Sequence, residues 1–172
     1  VPTGAAEGTA TRATGAITVL VVDDDPLLRE LYAAALTRDG GFDVVGQATS
    51  GAGAVETAAR VQPDLALVDV RISGLQGPEL LRALAEVAPN MRVVMASGHA
   101  SEAVAARLLD VGAWGLVRKG GAPDELCDQL RSVAEADDRS PARVAPKAAG
   151  PGRSSPERVD GRSDRDLAGA GR

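Results

Sequence analysis

Five side chains bound the chemistry open to this sequence: Asp23, Asp24, Asp69, Ser97 and Lys119. Each follows or ends an apolar run. ITVLVV precedes Asp23, LALV precedes Asp69, VVMA precedes Ser97 and GLVR precedes Lys119. Three carboxylates can hold a divalent cation, and hard oxygen donors favour Mg2+ or Mn2+ over zinc. A hydroxyl can donate to a phosphoryl oxygen, and lysine is a compact cation suited to phosphate. A carboxylate such as Asp69, before a loop with Gly74 and Gly77, can attack phosphorus and form an acyl phosphate.

These residues lie far apart and need a scaffold that gathers them. ITVLVV, FDVVGQA, LALVD, RVVMAS and GLVR read as strands, and uninterrupted β-branched runs fit a parallel sheet buried on both faces. Between them lie helical patterns. The first starts at Pro26, carries Leu27, Leu31, Ala34 and Ala35 at helical spacing, and stops at Gly40-Gly41. Ser50 can cap a second helix, with Ala54, Val55, Ala58 and Ala59 on one side and Pro63 beyond its end. A third spans Pro78 to Glu86, a fourth opens at Ser101-Glu102 and ends near Gly112, and a fifth begins at Pro123-Asp124-Glu125 with Leu126, Leu130 and Val133 as its stripe. Five strands alternating with five helices define a three-layer α/β fold, (βα)5 and doubly wound in the flavodoxin-like manner, around a five-stranded parallel sheet. The strand carboxyl ends of such a sheet line one crevice, where ligands bind. All five side chains should meet there.

Three consecutive aspartates repel one another, and a cation beside them relieves the repulsion. Asp25 directly precedes Pro26 and reads as the helix cap; Asp23 and Asp24 remain for the pocket.

Composition narrows the rest. Apolar residues make up 44% of 172 and aromatics only 2% (Tyr32, Phe42 and Trp114), so Val, Leu, Ile and Ala should build the core. One cysteine, Cys127, excludes an internal disulfide and a cysteine-cluster metal site, and one histidine, His99, argues against a zinc site or a histidine triad. Neither a membrane span nor a signal peptide is legible, which gives a soluble cytoplasmic protein as the expectation. Residues 139–172 hold 8 Lys/Arg and 4 Asp/Glu; subtracting these from totals of 19 and 24 leaves 11 and 20 for residues 1–138, so +4 and −9 sum to −5. An acidic body argues against a nucleic-acid surface. Residues 1–16 read as a disordered leader and 137–172 as a disordered tail rich in Pro, Gly and Arg.

The segments VLVVDDDPLLREL, PDLALVDVRISGLQGPELL, VVMASGHAS and GAWGLVRKGGAPDEL resemble the receiver domain of bacterial two-component response regulators. The resemblance covers residues 17–136. VVGQATSGAGAVETAARVQPDLALVD, with a lysine not followed by proline, is most similar to the LuxR-type (NarL-like) group. The resemblance implies that Asp69 accepts a phosphoryl group and that Mg2+ (or Mn2+) is held by Asp24 directly, Asp23 through water, Asp69, and the main-chain carbonyl of Arg71. It implies that Ser97 is the switch hydroxyl and Lys119 the cation on the phosphoryl group. Arg71 and His99 would flank that group and tune its lifetime. A histidine kinase or phosphotransfer protein would be the donor, an unidentified protein the downstream partner, and phosphorylation could drive a homodimer. The chain would be a phosphoacceptor, at most self-dephosphorylating, and not an enzyme. Neither direct DNA binding nor membrane association is expected.

Some positions depart from that pattern. Leu116 stands where many receivers carry Tyr or Phe coupled to the switch hydroxyl. Gly120 replaces a frequent proline after the lysine, Ser73 a frequent proline after the acceptor, and Gln76 a frequent aspartate. Two other readings compete. A receiver working without phosphate would be an interaction module. A haloacid-dehalogenase-type phosphatase would also place an Asp-x-Asp after its first strand, but here it would leave Asp69 without a role.

Overall fold

The computed structural model describes residues 15–98 and 102–136. The leader up to residue 14, the tail from residue 137, and His99 and Ser101 lie outside the described residues. Strands β1 (Ile17–Val22), β2 (Phe42–Ala48), β3 (Leu65–Asp69), β4 (Arg92–Ser97) and β5 (Gly115–Arg118) alternate with helices α1 (Pro26–Asp39), α2 (Gly51–Val61), α3 (Gly77–Val87), α4 (Glu102–Asp110) and α5 (Pro123–Glu135). The strands form one parallel sheet in the order β2-β1-β3-β4-β5, the flavodoxin-like arrangement expected from the alternation. The chain leaves β1 toward β2, then returns to place β3 on the other flank of β1. That reversal opens the crevice beyond the carboxyl ends of β1 and β3.

β1, β3 and β4 bury both faces, as their apolar runs require, while β2, at the edge of the sheet, leaves Asp43 and Gln47 exposed. Val19, Val21, Leu65, Leu67, Val94 and Val117 face a core completed by Leu36 of α1 and Leu126, Leu130 and Val133 of α5. Leu20, Val22, Val68, Met95 and Leu116 face the opposite core, with Ala54 and Ala58 of α2, Leu80 and Leu84 of α3 and Leu108 of α4. The period of two along each strand thus divides the chain into two layers of helices.

The helix ends follow local chemistry. Asp25 caps α1 by accepting from the amides of Leu27 and Leu28 at 2.9 and 3.3 Å. Ser50 caps α2 by accepting from Gly53 N at 3.2 Å. Gly40, at φ 80°, closes α1 in the left-handed conformation that glycine adopts without strain.

Three packing expectations need correction. Leu27 and Leu31 face solvent, at 75% and 52% exposure, and Ala34 is exposed as well. The buried stripe of α1 runs through Leu28, Tyr32, Ala35 and Leu36, spaced i, i+4, i+7 and i+8. Both stripes have helical spacing; docking on the sheet selects the second, one residue out of phase. In α2, Ala54 and Ala58 are buried, but Ala59 is exposed. The core is not only aliphatic: Tyr32, Phe42, Met91, Met95 and Cys127 are buried in it.

Candidate functional site

Four of the five chemistry-bearing residues are fixed by the sheet, and the fifth sits on the loop that leaves β1. Val22 pairs with Val68 across β1 and β3, so Asp23 and Asp69 follow one another into the crevice. Asp69 is registered with Ala96, and Val70 N donates to Ala96 O at 2.9 Å. Ser97 is registered with Arg118, and Lys119 N donates to Ser97 O at 2.9 Å. Asp23, Asp69 and Ser97 are buried, Lys119 is half-buried, and Asp24 is exposed.

Lys119 ties the site together. Its Nζ lies 2.7 Å from Asp23 Oδ2 and 2.8 Å from Asp69 Oδ2. The remaining oxygens are held by main chain: Asp23 Oδ1 accepts from Asp25 N, and Asp69 Oδ1 from Arg71 N, both at 3.0 Å. Asp23, Asp24 and Asp69 each offer an oxygen to one cluster spanning no more than 4.8 Å. Three carboxylates against one ammonium leave a local excess of negative charge. Burial pulls the Lys119 ammonium down, but its hydrogen bonds to Asp23 and Asp69, and their charges, hold it above its ordinary value. Lys119 therefore stays charged.

The loop after Asp69 is shaped from two sides. Gly74 and Gly77 have φ of 77° and 57° and let it turn. Gly51, at the start of α2, gives the loop room: its amide donates to Ser73 O at 3.2 Å, and a Cβ there would come within 1.8 Å of Leu75 O. The side chain of Arg71 is exposed. Leu116 is only 1% exposed, inside the core layer shared with α3 and α4.

Two contributors escape a sequence reading. Arg29 Nη1 donates to the carbonyl of Asp23 at 2.8 Å and braces the turn that carries the acids. Gly51 accommodates the loop only because Leu75 O approaches it. An arginine in the first helix turn is a weak local signal, and the Gly51 contact has none.

Fold and pocket define a flavodoxin-like α/β protein with an acidic site at the carboxyl edge of its sheet. The chain belongs to the response regulator receiver domain family, whose model matches residues 19–131. It is 35% identical over 117 residues to the response regulator GacA of Pseudomonas aeruginosa, covering 68% of this chain and 55% of that protein. The chain thus spans about half the length of the curated relatives it matches. The solved receiver domain of the putative response regulator NarL from Mycobacterium tuberculosis superposes with a TM-score of 0.68 at 33% identity, covering 71% of this chain and 98% of that one. A CheX-CheY-BeF3-Mg+2 complex from Borrelia burgdorferi matches with a TM-score of 0.65 at 25% identity, covering 70% of this chain and 91% of that one. Receiver domains of this family hold Mg2+ through an acidic cluster, and Asp23, Asp24 and Asp69 form one here. They are, in general, signalling switches rather than enzymes. Among the described residues, no helix is long and apolar enough to cross a membrane.

Proposed function

We propose that residues 17–136 form a receiver unit that accepts a phosphoryl group on Asp69 in a two-component phosphorelay and switches protein–protein contacts. The observation that carries this reading is the Lys119 ammonium held between Asp23 and Asp69 at 2.7 and 2.8 Å, beside the oxygen of Asp24. A carboxylate oxygen of Asp69 attacks the phosphorus of a phosphohistidine on a histidine kinase or phosphotransfer protein. The new O–P bond forms as the P–N bond to the imidazole breaks, and the imidazole keeps the electron pair of the broken bond. Asp23, Asp24 and Asp69, with the main-chain carbonyl of Arg71, are the residues that would hold Mg2+. Such a metal neutralises charge on the attacking carboxylate and the incoming phosphate. The CheX-CheY-BeF3-Mg+2 complex from Borrelia burgdorferi supports that assignment.

Asp69 is positioned for attack by its own backbone, because Arg71 N fixes Oδ1 while Lys119 holds Oδ2. Lys119 pairs with the phosphoryl group after transfer, and Ser97, at the end of the adjoining strand, donates its hydroxyl to it. Arg71 and His99 set how readily water reaches the acyl phosphate. The reading puts the chain in the cytoplasm with its kinase, with self-association on phosphorylation among its outputs.

Leu116 favours a second reading. A leucine enclosed in the core lacks the aromatic ring and polar tip that would follow Ser97, and a receiver without that coupling could serve as a phosphate-independent interaction module. Incubation with acetyl phosphate and Mg2+, followed by intact mass, separates the two. The switch requires a mass gain of one phosphoryl group that disappears in Asp69→Asn. No gain under any condition leaves the interaction module.

A further inference from the structure

Tyr32 is the only tyrosine in the chain. It lies on the buried stripe of α1, 6% exposed, among the core residues shared with α5. Its Oη is sealed from solvent and has no hydrogen-bond partner among the described residues. Burying a hydroxyl without a partner is unfavourable, and phenylalanine would fill the same space without that loss. The hydroxyl therefore calls for an explanation beyond packing.

Its direction supplies one. α1 begins at the carboxyl edge of the sheet, capped by Asp25, and Tyr32 follows seven residues later, about 10 Å along the axis. Helical side chains lean back toward the helix N-terminus, so a side chain as long as tyrosine aims its tip at the floor of the pocket. The electrostatics agree. Burial is the main influence raising the phenol above its ordinary value; the charges that follow are Lys119, Asp23, Asp69 and Asp25, in that order. All four belong to the pocket or its rim. Arg29, on the same helix, reaches the carbonyl of Asp23.

The pocket also has a position that changes. In the structure Lys119 divides itself between Asp23 and Asp69. On the function proposed above, Lys119 turns to the phosphoryl group once Asp69 carries one, and Asp23 Oδ2 loses its contact with the Lys119 ammonium. We propose that Tyr32 is a positioning residue whose hydroxyl takes up the hydrogen bond that Asp23 loses, directly or through one water, and so stabilises the phosphorylated arrangement over the resting one. The hydroxyl is unpaired in the resting state and paired in the other, so it biases the equilibrium between them.

Beryllofluoride with Mg2+ is the probe, tested on the wild type and on Tyr32→Phe. One hydrogen bond lost only from the bound state weakens beryllofluoride binding about fivefold. Tyr32→Phe should leave the Tm of the free protein unchanged or slightly raised, since it deletes an unpaired hydroxyl. The near-ultraviolet contribution of Tyr32, isolated from that of Trp114 as the difference between wild type and Tyr32→Phe, should shift when beryllofluoride binds. A role confined to packing predicts no such shift. Equal affinities in the two proteins, an unmoved tyrosine signal, or a Tm lowered by Tyr32→Phe would each overturn the inference while the proposed function stands. A wild type that binds no beryllofluoride at all overturns that function, and this inference with it.

Discussion

The two ends of the sheet use polar residues in opposite ways. At the amino edge the groups close on one another. Thr18 N and Oγ1 both donate to Asp64 Oδ2, at 2.9 and 2.6 Å, and Asp64 N returns bonds to Thr18 O and Oγ1 at 3.1 and 2.9 Å. Arg92 donates to Val133 O and Ala134 O, both at 2.7 Å, and stacks on Trp114 at 4.5 Å. Those bonds satisfy the last carbonyls of α5 and pin it to β4. At the carboxyl edge, by contrast, three carboxylates cluster together and one ammonium pairs with two of them. Polar groups that satisfy one another stabilise a fold; like charges crowded at a crevice repel one another, a repulsion that a cation beside them relieves.

The sharpest way to break that contrast is to remove the Lys119 ammonium, which pairs with the carboxylates of Asp23 and Asp69. Lys119→Met leaves Asp23, 1% exposed, and Asp69 without their counter-charge. Loss of one partner from a buried pair costs about 3–5 kcal/mol, so this variant should show the largest fall in denaturant midpoint. Saturating Mg2+ should recover part of the loss, because a ligand at 100 times its Kd stabilises by about 2.7 kcal/mol. The gain from Mg2+ should exceed that of the wild type. The pH dependence has a definite sign. The folded-state pKa of Lys119 lies above its ordinary 10.5, so its stabilising effect is complete below 10.5 and disappears as pH rises through the raised value. The stability gap between wild type and Lys119→Met should therefore be flat from neutral pH to about 10 and narrow only in stronger alkali. A gap that closes near neutrality would show that some other group controls the pair.

The amino edge should respond with a smaller loss and no change in chemistry. Asp64→Ala strands the amide and hydroxyl of Thr18, which is 5% exposed. Unpaired buried donors cost about 1–3 kcal/mol. Denaturation should report that loss, while labelling by acetyl phosphate stays within about twofold of wild type, since its site of damage is at the other end of β1 and β3. A large drop in labelling would mean that the two ends are coupled through β1 and β3.

The same contrast decides what the sequence could disclose. The succession of strands and helices was readable because β-branched runs, prolines and glycines are local signals, and the candidate acids, hydroxyl and lysine fall at or just past the ends of those runs. The amino-edge latches were not, because Thr18 and Asp64 are 46 positions apart and Arg92 and Val133 are 41 apart, with no motif between them. The phase of α1 was equally hidden. Leu27/Leu31 and Leu28/Tyr32 are both apolar pairs at i, i+4, and only docking on the sheet selects one. That left Tyr32, and with it the underside of the pocket, out of the sequence-level site.

Asp25 carries the smallest effect and tests the contrast over the shortest distance. Asp23, Asp24 and Asp25 are chemically identical in sequence, yet the fold separates them. Asp23 is buried against Lys119, and Asp24 offers its oxygen to the acidic cluster. Asp25 turns away from the cluster to accept from the amides of Leu27 and Leu28. Its side chain therefore belongs with the self-satisfied polar groups of the other end, although it sits at the rim of the pocket. Asp25→Ala should cost about 1 kcal/mol of stability, the usual loss of a helix cap. Asp25→Ser should restore most of it, since a hydroxyl can accept the same amide bonds. Mg2+ affinity and labelling by acetyl phosphate should stay within about threefold of wild type in both, as expected for loss of one exposed, screened charge. If Asp25→Ser restores stability but Mg2+ binding falls as far as it does in Asp24→Asn, the third aspartate is a ligand as well as a cap, and the boundary between fold and site runs through one side chain.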